Sequence, residues 1–214
     1  MSTPVYIVKA SFRLPSASNW QDLSRIKTSS DTPISKIDSD FWLSRNIITP
    51  DSDDNIYGGV VQNPFFADLS DLGIGLNEWS CLDPQQRLCL SLAQEITTDI
   101  TLPQDTSVFI GASDTGWSFC NTLESDNRYL LAGSHLSMTS ARISYHFDFT
   151  GKSKTIDTSC SSSLVAMSEA FEAISSGECD FSICGGVNLF NDPFKFLQLR
   201  RMKMLSPDHM CFTF

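Results

Sequence analysis

The chain has 214 residues, of which 41% are hydrophobic, and this fraction is sufficient for a packed core. Its 15 basic and 25 acidic side chains give a net charge of −10, which excludes the basic surface of a nucleic-acid-binding protein and disfavours binding to anionic membranes. Seven cysteines in mostly apolar contexts are typical of reduced thiols, and no segment approaches the about 20 apolar residues that span a bilayer. We therefore expect a cytoplasmic protein that contacts neither nucleic acid nor membrane.

The first predicted element is a short strand over the apolar residues 5–8, which are too few for a signal peptide. Residues 16–54 are rich in Ser, Asp and Thr, and this composition favours a surface loop with a short helix rather than a separate domain. A longer helix is predicted from Asp83, its N-cap, and Pro84, its first residue. Its apolar stripe, with i, i+4 spacing, consists of Leu88, Leu92 and Ile96.

Strands and helices alternate through the rest of the chain. The predicted order is strand, helix, strand, helix and strand, over residues 108–110, 134–147, 155–158, 160–176 and 181–184. This order predicts an α/β fold with a mixed, mainly parallel sheet and helices on its faces. The second of these helices is apolar on most sides, so we expect it to lie in the middle of a domain. Gly177 is placed to end that helix, and Gly185 and Gly186 to close the last strand.

Cys160 is the candidate nucleophile. It lies where a predicted strand ends and an apolar helix begins, so free backbone N–H groups and the positive end of the helix dipole converge on its thiol. Both favour the thiolate, which is the nucleophilic form, and the same N–H groups would stabilise an oxyanion formed by attack on a thioester carbonyl. The three serines that follow the cysteine keep the approach to the thiol open.

The alternative interpretation of any single cysteine is a buried, inert side chain, because free cysteines are among the most buried residue types. We adopt this interpretation for the other six cysteines, including Cys179 and Cys184. They form no CxxC pair, and no pair of histidines lies near them in the sequence to complete a metal site. We therefore expect no bound metal.

Residues 157–166, with the sequence DTSCSSSLVA, resemble the active-site signature of the β-ketoacyl synthases. They are most similar to the ketosynthase domains of modular polyketide synthases and related fatty-acid synthases. Seven further blocks occur in the order of that family and cover nearly the whole chain. They are YGG at residues 57–59, LDPQQRL at 82–88, VFIG at 108–111, ARISY at 141–145, GECD at 177–180, GGVN at 185–188 and MLSPD at 204–208.

The resemblance implies a thiolase-like fold, of which residues 1–214 would form the N-terminal β-ketoacyl synthase domain. It implies that Cys160 accepts an acyl group from the phosphopantetheine of an acyl carrier protein, and that a decarboxylated malonyl-type extender is then condensed onto that group. The chain itself would bind no cofactor, since the carrier protein holds the substrate. The implied partners are the acyl carrier protein and either a second copy of the chain, in a homodimer, or a complementary ketosynthase half. The stretch around residues 134–138 would line the pocket near the dimer contact.

The condensing step of this family uses two histidines, in HGTGT and NxGH motifs of the second half, together with a lysine, and neither motif occurs in this chain. The chain contains three histidines, His135, His146 and His209. By its position in the family pattern, His135 lies nearest the acyl pocket, whereas His146 is interpreted as a structural residue. His209 replaces the glycine of the family's SPDG turn, and Lys9 replaces a glycine that follows the first strand.

Three functional hypotheses remain open. In the first, the chain is the acyltransferase half of a ketosynthase, which condenses only when a second half supplies the histidines. In the second, it accepts acyl groups at Cys160 and transfers or hydrolyses them without condensation. In the third, it is a degenerate family member that serves dimerisation or carrier-protein binding, which the intact cysteine signature disfavours. A serine hydrolase and a nucleotide enzyme are excluded, because neither G-x-S-x-G nor a phosphate-binding glycine motif occurs.

Overall fold

A computed structural model describes residues 4–29, 32–38, 56–61, 69–117, 126–191 and 193–210 of the chain. The chain divides into two compact units. The larger unit comprises Met1–Ser11 and Pro64–Leu189, and the smaller unit comprises Phe12–Asn63 and Phe190–Phe214. Cys160 belongs to the larger unit.

Helices and strands alternate along most of the chain, and the described ones are numbered here in chain order. They are α1 (Trp20–Thr28), β1 (Ile34–Ile37), β2 (Ile56–Gly59), α2 (Leu76–Trp79), α3 (Pro84–Thr97), β3 (Ser107–Ala112), α4 (Leu130–Ser134), α5 (Met138–His146), β4 (Ser153–Ile156), α6 (Ser162–Ser175), β5 (Ser182–Val187) and α7 (Phe194–Arg201). Short 3-10 turns cover Ser70–Leu72 and Ser159–Ser161. Within these described ranges, no helix has both the length and the apolar character needed to cross a membrane.

The larger unit is built on a three-stranded sheet in the order β4-β3-β5, and both pairs of strands are parallel. In register, Val108 of β3 lies opposite Ser153 of β4 and Ile183 of β5. Every residue of β3 is buried, as expected of a strand that is paired on both sides and covered on both faces. The alternation of strands and helices therefore produces the mainly parallel α/β sheet that the sequence predicts.

Helices cover both faces of this sheet. The helices α3 and α5 pack on one face, where Val108, Ile110 and Ile143 belong to a large apolar cluster. The helix α6 packs on the other face, where Phe109 lies in a second cluster with Ala170. Successive residues of a strand point to opposite faces, so the single strand β3 supplies side chains to both clusters.

The helix α6 presents small residues to the sheet and large residues away from it. Its buried residues are Ser162, Ala166, Ala170 and Ala173. Leu164, Met167 and Phe171, which share one face of the helix, are 68%, 49% and 53% exposed. The prediction of a helix buried on most sides is therefore wrong for this outer face. The reason is that the described part of the unit provides a packing layer for α6 on the sheet side only.

The predicted ends of two helices are confirmed. Asp83 caps α3 by accepting a hydrogen bond from the backbone N–H of Gln85 at 2.8 Å, and Pro84 is the first helical residue. Gly177 follows α6 in the left-handed conformation, with φ of 74°. The next N–H, of Glu178, donates to the carbonyl of Ala173 at 2.9 Å, which is the hydrogen bond of a glycine-terminated helix end.

The predicted strand over residues 5–8 is not formed. Tyr6, Ile7 and Val8 have no assigned strand partner in the described ranges, and their exposed fractions are 77%, 82% and 71%. An apolar, β-branched segment becomes a strand only where a neighbouring strand pairs with its backbone groups. Lys9, just beyond this segment, forms an ion pair with Asp99 at 3.1 Å.

Several predicted boundaries also differ. The helix predicted over residues 134–147 begins later, as α5 at Met138, and Ser134 is instead the last residue of a separate helix, α4, with residues 135–137 between the two. The strand β4 ends at Ile156, before the segment that leads to Cys160. The strand β5 continues through Gly185 and Gly186, which the sequence analysis placed at its end.

The smaller unit contains an antiparallel pair, β1 and β2, with Ile34 opposite Gly59. Of the loop and short helix predicted over residues 16–54, the structure describes α1 and β1, while residues 30–31 and 39–54 lie outside the described residues. His209 has a left-handed backbone, with φ of 56°, in the position where the family has glycine. Its ring stacks on Tyr57, with ring centroids 3.8 Å apart. Histidine is one of the residue types that adopt this conformation more readily than most.

Candidate functional site

Cys160 lies in the connection between β4 and α6. The strand β4 ends at Ile156, a 3-10 turn covers Ser159–Ser161, and α6 begins at Ser162. Cys160 is exposed to solvent. The structure therefore places this residue at the mouth of an apolar helix, as the sequence predicts, but in a separate turn ahead of the first helical residue.

Ser159 has a left-handed backbone conformation, with φ of 57°. This conformation is uncommon for a residue with a side chain and costs on the order of 1 kcal/mol or more, so its surroundings must hold it in place. The carboxylate of Asp157 accepts a hydrogen bond from the Ser159 N–H at 3.0 Å. The Ser162 hydroxyl accepts from the Thr158 N–H and donates to the Ser159 carbonyl, both at 2.8 Å. Side chains on both sides of the turn therefore fix the backbone that carries Cys160.

The backbone N–H groups near the thiol are mostly engaged, in contrast to the free groups that the sequence analysis expected. The N–H groups of Thr158 and Ser159 donate to side chains, and those of Ser161 and Ser162 donate to carbonyl groups. Within the part of the chain that the structure describes, the N–H of Cys160 itself has no acceptor. It is therefore the group in this turn that is available to donate to an oxyanion on an acyl carbon attached to the thiol.

Two glycines allow α6 to begin directly on the carboxyl ends of β3 and β5. A Cβ atom added to Gly111 would lie 2.5 Å from the backbone carbonyl carbon of Ser162. A Cβ atom added to Gly186 would lie 2.5 Å from the Cβ of Ser163. Gly186 was expected to close the last strand, whereas both glycines lie within strands. Their physical role is to permit this close approach of the helix.

A buried polar network holds the stretch around residues 134–138. Gln86, in the first turn of α3, donates through Nε2 to the carbonyl groups of Ala132 and His135, at 3.3 and 3.1 Å. Its Oε1 accepts from the Nε of Arg142 at 2.8 Å, and Arg142 also forms an ion pair with Glu78. This network holds the end of α4 and the start of the break that follows it, because one side chain binds the carbonyl groups of Ala132, within α4, and His135, directly after it.

In the sequence, Gln86 and Arg142 stand out only as members of the LDPQQRL and ARISY blocks, which predict no role for either side chain. The available signal was the placement of a polar amide and a guanidinium among apolar helix residues, where an unpaired polar group would be costly to bury. Both residues are buried, at 1% and 4% exposure. Together they fix the backbone between α4 and α5.

The three histidines are dispersed. His135 is exposed, with its Nδ1 3.0 Å from the Ser137 hydroxyl, and His209 belongs to the smaller unit. His146 is half-buried, and burial followed by the positive charge of Arg142 lowers its pKa. No histidine within the described ranges forms a hydrogen bond with Cys160. The expected place of His135 near the acyl pocket stays a prediction.

The other described thiols differ from Cys160 in their surroundings. Cys81, Cys89 and Cys179 are buried, as predicted, and burial raises the pKa of Cys89 to about 12. The prediction of a buried side chain is wrong for Cys184, which is exposed on β5, although its partial burial also raises its pKa. Cys120 and Cys211 lie outside the described residues. Among the residues that are described, no group of three His, Cys, Asp or Glu side chains is placed to hold a metal ion.

Comparison with known proteins gives consistent matches. Residues 2–214 match the family described as "Beta-ketoacyl synthase, N-terminal domain". The chain is 38% identical over 170 residues to "Probable polyketide synthase 1" of Dictyostelium discoideum, which covers 75% of this chain and 5% of that protein. It is 39% identical over 155 residues to "Fatty acid synthase" of Anser anser anser, which covers 69% of this chain and 44% of that protein.

Among solved structures, the chain is similar to the oxazolomycin ketosynthase domain OzmH KS7 of Streptomyces albus JA3453. The TM-score is 0.75 at 27% sequence identity, and the match covers 92% of this chain and 36% of that chain. The chain therefore spans about a third of this ketosynthase domain and a smaller part of the multidomain polyketide synthase.

Proposed function

Because the chain belongs to the β-ketoacyl synthase family and matches its N-terminal domain along residues 2–214, we propose that it is the nucleophile-bearing part of a ketosynthase. Its fold is α/β and thiolase-like, and the matched relatives include a polyketide synthase and a fatty acid synthase. The observation that carries the proposal is the position of Cys160. This residue is exposed at a turn between a strand and an apolar helix, inside the sequence DTSCSSS.

The proposed first reaction is acyl transfer to Cys160. The thiolate attacks the carbonyl carbon of an acyl thioester on the phosphopantetheine of an acyl carrier protein. A new bond forms between Sγ and the acyl carbon, the bond from that carbon to the pantetheine sulfur breaks, and the pantetheine thiolate leaves and takes up a proton. The N–H of Cys160, which has no acceptor among the described residues, would donate to the oxyanion during this step.

The proposed second reaction is decarboxylative condensation with a malonyl-type extender, and it requires further groups. Loss of carbon dioxide produces an enolate whose oxygen needs hydrogen-bond donors, and among the described residues neither His135 nor His146 forms a hydrogen bond with Cys160. We assign those donors to a complementary ketosynthase half, either on a partner chain or on a longer form of the same polypeptide. The exposed apolar face of α6, formed by Leu164, Met167 and Phe171, is available for contact with such a partner.

Acyl loading tests the proposal directly. The full chain is incubated with a short-chain acyl thioester of N-acetylcysteamine and weighed by intact mass spectrometry. We expect one acyl adduct, which Cys160→Ala abolishes and the control Cys184→Ala retains. An adduct that persists in Cys160→Ala, or that maps to Cys81 or Cys89, would contradict the assignment.

A second candidate function is acyl transfer or hydrolysis without condensation, with the chain serving as a carrier-binding or dimerisation partner. The observation that favours it is that neither His135 nor His146, the two histidines of the larger unit, forms a hydrogen bond with Cys160 among the described residues. Malonyl-loaded carrier protein is added to the acylated chain, with and without a separately produced C-terminal ketosynthase half. A β-ketoacyl product only in the presence of that half supports the first function, whereas loss of the acyl group without such a product in either reaction supports the second.

A further inference from the structure

A line of hydrogen bonds leads from the buried first turn of α3 to the turn that carries Cys160. It begins at Gln85, which is 1% exposed. Its Nε2 donates to the carbonyl of Ser113 at 3.0 Å, and its Oε1 accepts from the N–H of Leu189 at 3.0 Å. One buried amide therefore fixes the segments that follow β3 and β5, which are the two strands on which α6 begins.

Two further hydrogen bonds extend this line to Ser159, the residue with the left-handed backbone. The Ser113 hydroxyl donates to Asp157 Oδ1 at 2.8 Å. The same Oδ1 accepts from the Ser159 N–H at 3.0 Å. The carboxylate oxygen that holds Ser159 is thus itself held by Ser113, whose backbone is held by Gln85.

We propose that Ser113 and Asp157 are positioning residues, which aim the Cys160 thiol and its N–H by holding Ser159 in the left-handed conformation. The proposal rests on the acyl-accepting role proposed for Cys160. Ser159 immediately precedes Cys160, so a change in its φ from 57° to the usual negative range would rotate both the Cα–Cβ bond and the N–H of Cys160. Without Asp157, the Ser159 N–H loses its acceptor and only the bonds from Ser162 to the Ser159 carbonyl remain, so the left-handed conformation is less well compensated and we expect it to relax.

The role proposed for Asp157 is geometric, because its Oδ1 accepts hydrogen bonds from both the Ser113 hydroxyl and the Ser159 N–H. What the turn requires from this residue is therefore the acceptor oxygen. An asparagine retains an acceptor oxygen without the charge, whereas an alanine removes both, and this contrast separates geometry from electrostatics.

The experiment measures the rate of Cys160 acylation by the N-acetylcysteamine thioester in the full chain. Asp157→Ala and Ser113→Ala are expected to slow the maximal acylation rate by about tenfold or more, as expected for a misplaced reacting group, with little change in the half-saturating thioester concentration. Asp157→Asn is expected to retain most of the rate. In the Asp157→Ala background, Ser159→Gly is expected to restore part of it, because glycine adopts a positive φ without the hydrogen bond.

Alkylation of Cys160 by iodoacetamide provides the second readout, because this reaction needs a nucleophilic thiol but no oxyanion donor. We expect the alkylation rate of Asp157→Ala to stay within about twofold of the wild-type rate at each pH, as for a folded protein with an accessible thiol. Acylation of Asp157→Ala at the wild-type rate would overturn the proposal, as would equal losses in Asp157→Asn and Asp157→Ala or a parallel loss of alkylation. Failure of the wild-type chain to acylate would instead refute the proposed function itself.

Discussion

The two faces of the sheet in the larger unit are covered by different kinds of helix surface. On one face, α3 and α5 bury a cluster of large aliphatic side chains between themselves and the strands. On the other, α6 buries alanines and one serine and leaves Leu164, Met167 and Phe171 exposed. The first face resembles the interior of an ordinary domain. The second shows a helix adapted for close approach to the strands, with its large apolar residues left for contact on the outer side.

The largest expected difference between the two faces is in thiol reactivity. Cys89, on the α3 side, has a pKa of about 12, so at pH 8 only roughly one molecule in ten thousand carries its thiolate. Cys160, at the start of α6, is exposed. Brief iodoacetamide labelling followed by peptide mapping should therefore modify Cys160 far more than Cys89, and Cys89 should react only on unfolding. Comparable labelling of Cys89 and Cys160 in the folded chain would contradict the expected difference in thiol reactivity.

A methyl group added beneath the start of α6 should have the next largest effect. In Gly111→Ala the new Cβ meets the Ser162 backbone, which cannot move aside as a flexible side chain can, so we expect a loss of about 1–3 kcal/mol or more in the free energy of unfolding. The matched control is Gly185→Ala, whose Cβ would have no atom within 4 Å. Urea unfolding measures both variants, and equal midpoints would show that α6 does not rest on Gly111.

The inner and outer faces of α6 can be compared through adjacent residues. Ala170→Leu, on the sheet side, should overpack the interface and cost about 1–3 kcal/mol. Phe171→Ala, on the outer side, should change the stability of the isolated chain by less than about 0.5 kcal/mol, because that side chain is 53% exposed. If a complementary ketosynthase half covers this face, the same Phe171→Ala variant should weaken its association. Thermal unfolding measures the change in stability, and titration with that half measures the change in association. A large loss of stability of Phe171→Ala in the isolated chain would show that the face is already covered.

The smallest expected effect is a dependence of stability on pH from the α5 side. Burial lowers the pKa of His146 in the folded chain below its ordinary value of 6.5, so the unfolded chain binds a proton more readily. The neutral ring contributes fully to the free energy of unfolding above pH 6.5. This contribution is lost as the pH falls through the pKa that His146 has in the folded chain. The unfolding midpoint should therefore fall between pH 7.5 and pH 5.5, and His146→Gln should reduce that fall. An unchanged slope in His146→Gln, with exposed His135→Gln as control, would exclude this residue as the cause.

Much of the sheet could be predicted from the sequence because its signals are local. Apolar strands, the Asp83-Pro84 helix start and the terminating Gly177 each depend on a few neighbouring residues, and the structure confirms them. The outcome for residues 5–8 shows the limit of such signals. Their composition favours a strand, but strand formation depends on a partner elsewhere in the chain.

The position of the candidate residue Cys160 was predictable from the sequence, but the geometry around it only partly. The sequence predicts a strand–helix junction at Cys160, whereas the left-handed Ser159 is bound by Asp157, which is in turn bound by Ser113. Ser113 lies 44 positions away from Asp157 in the sequence, and no local pattern predicts that contact. The contacts of Gln86 could not be predicted for the same reason, because its acceptors, the carbonyl groups of Ala132 and His135, lie far away in the sequence.

The two glycines under α6 have a consequence for the position of Cys160. The helix can begin this close to the strands because positions 111 and 186 carry no side chain. A larger residue at either position would displace the start of α6 while leaving the sequence DTSCSSS unchanged. Substitutions intended to change the height of Cys160 above the sheet should therefore be made in the strands.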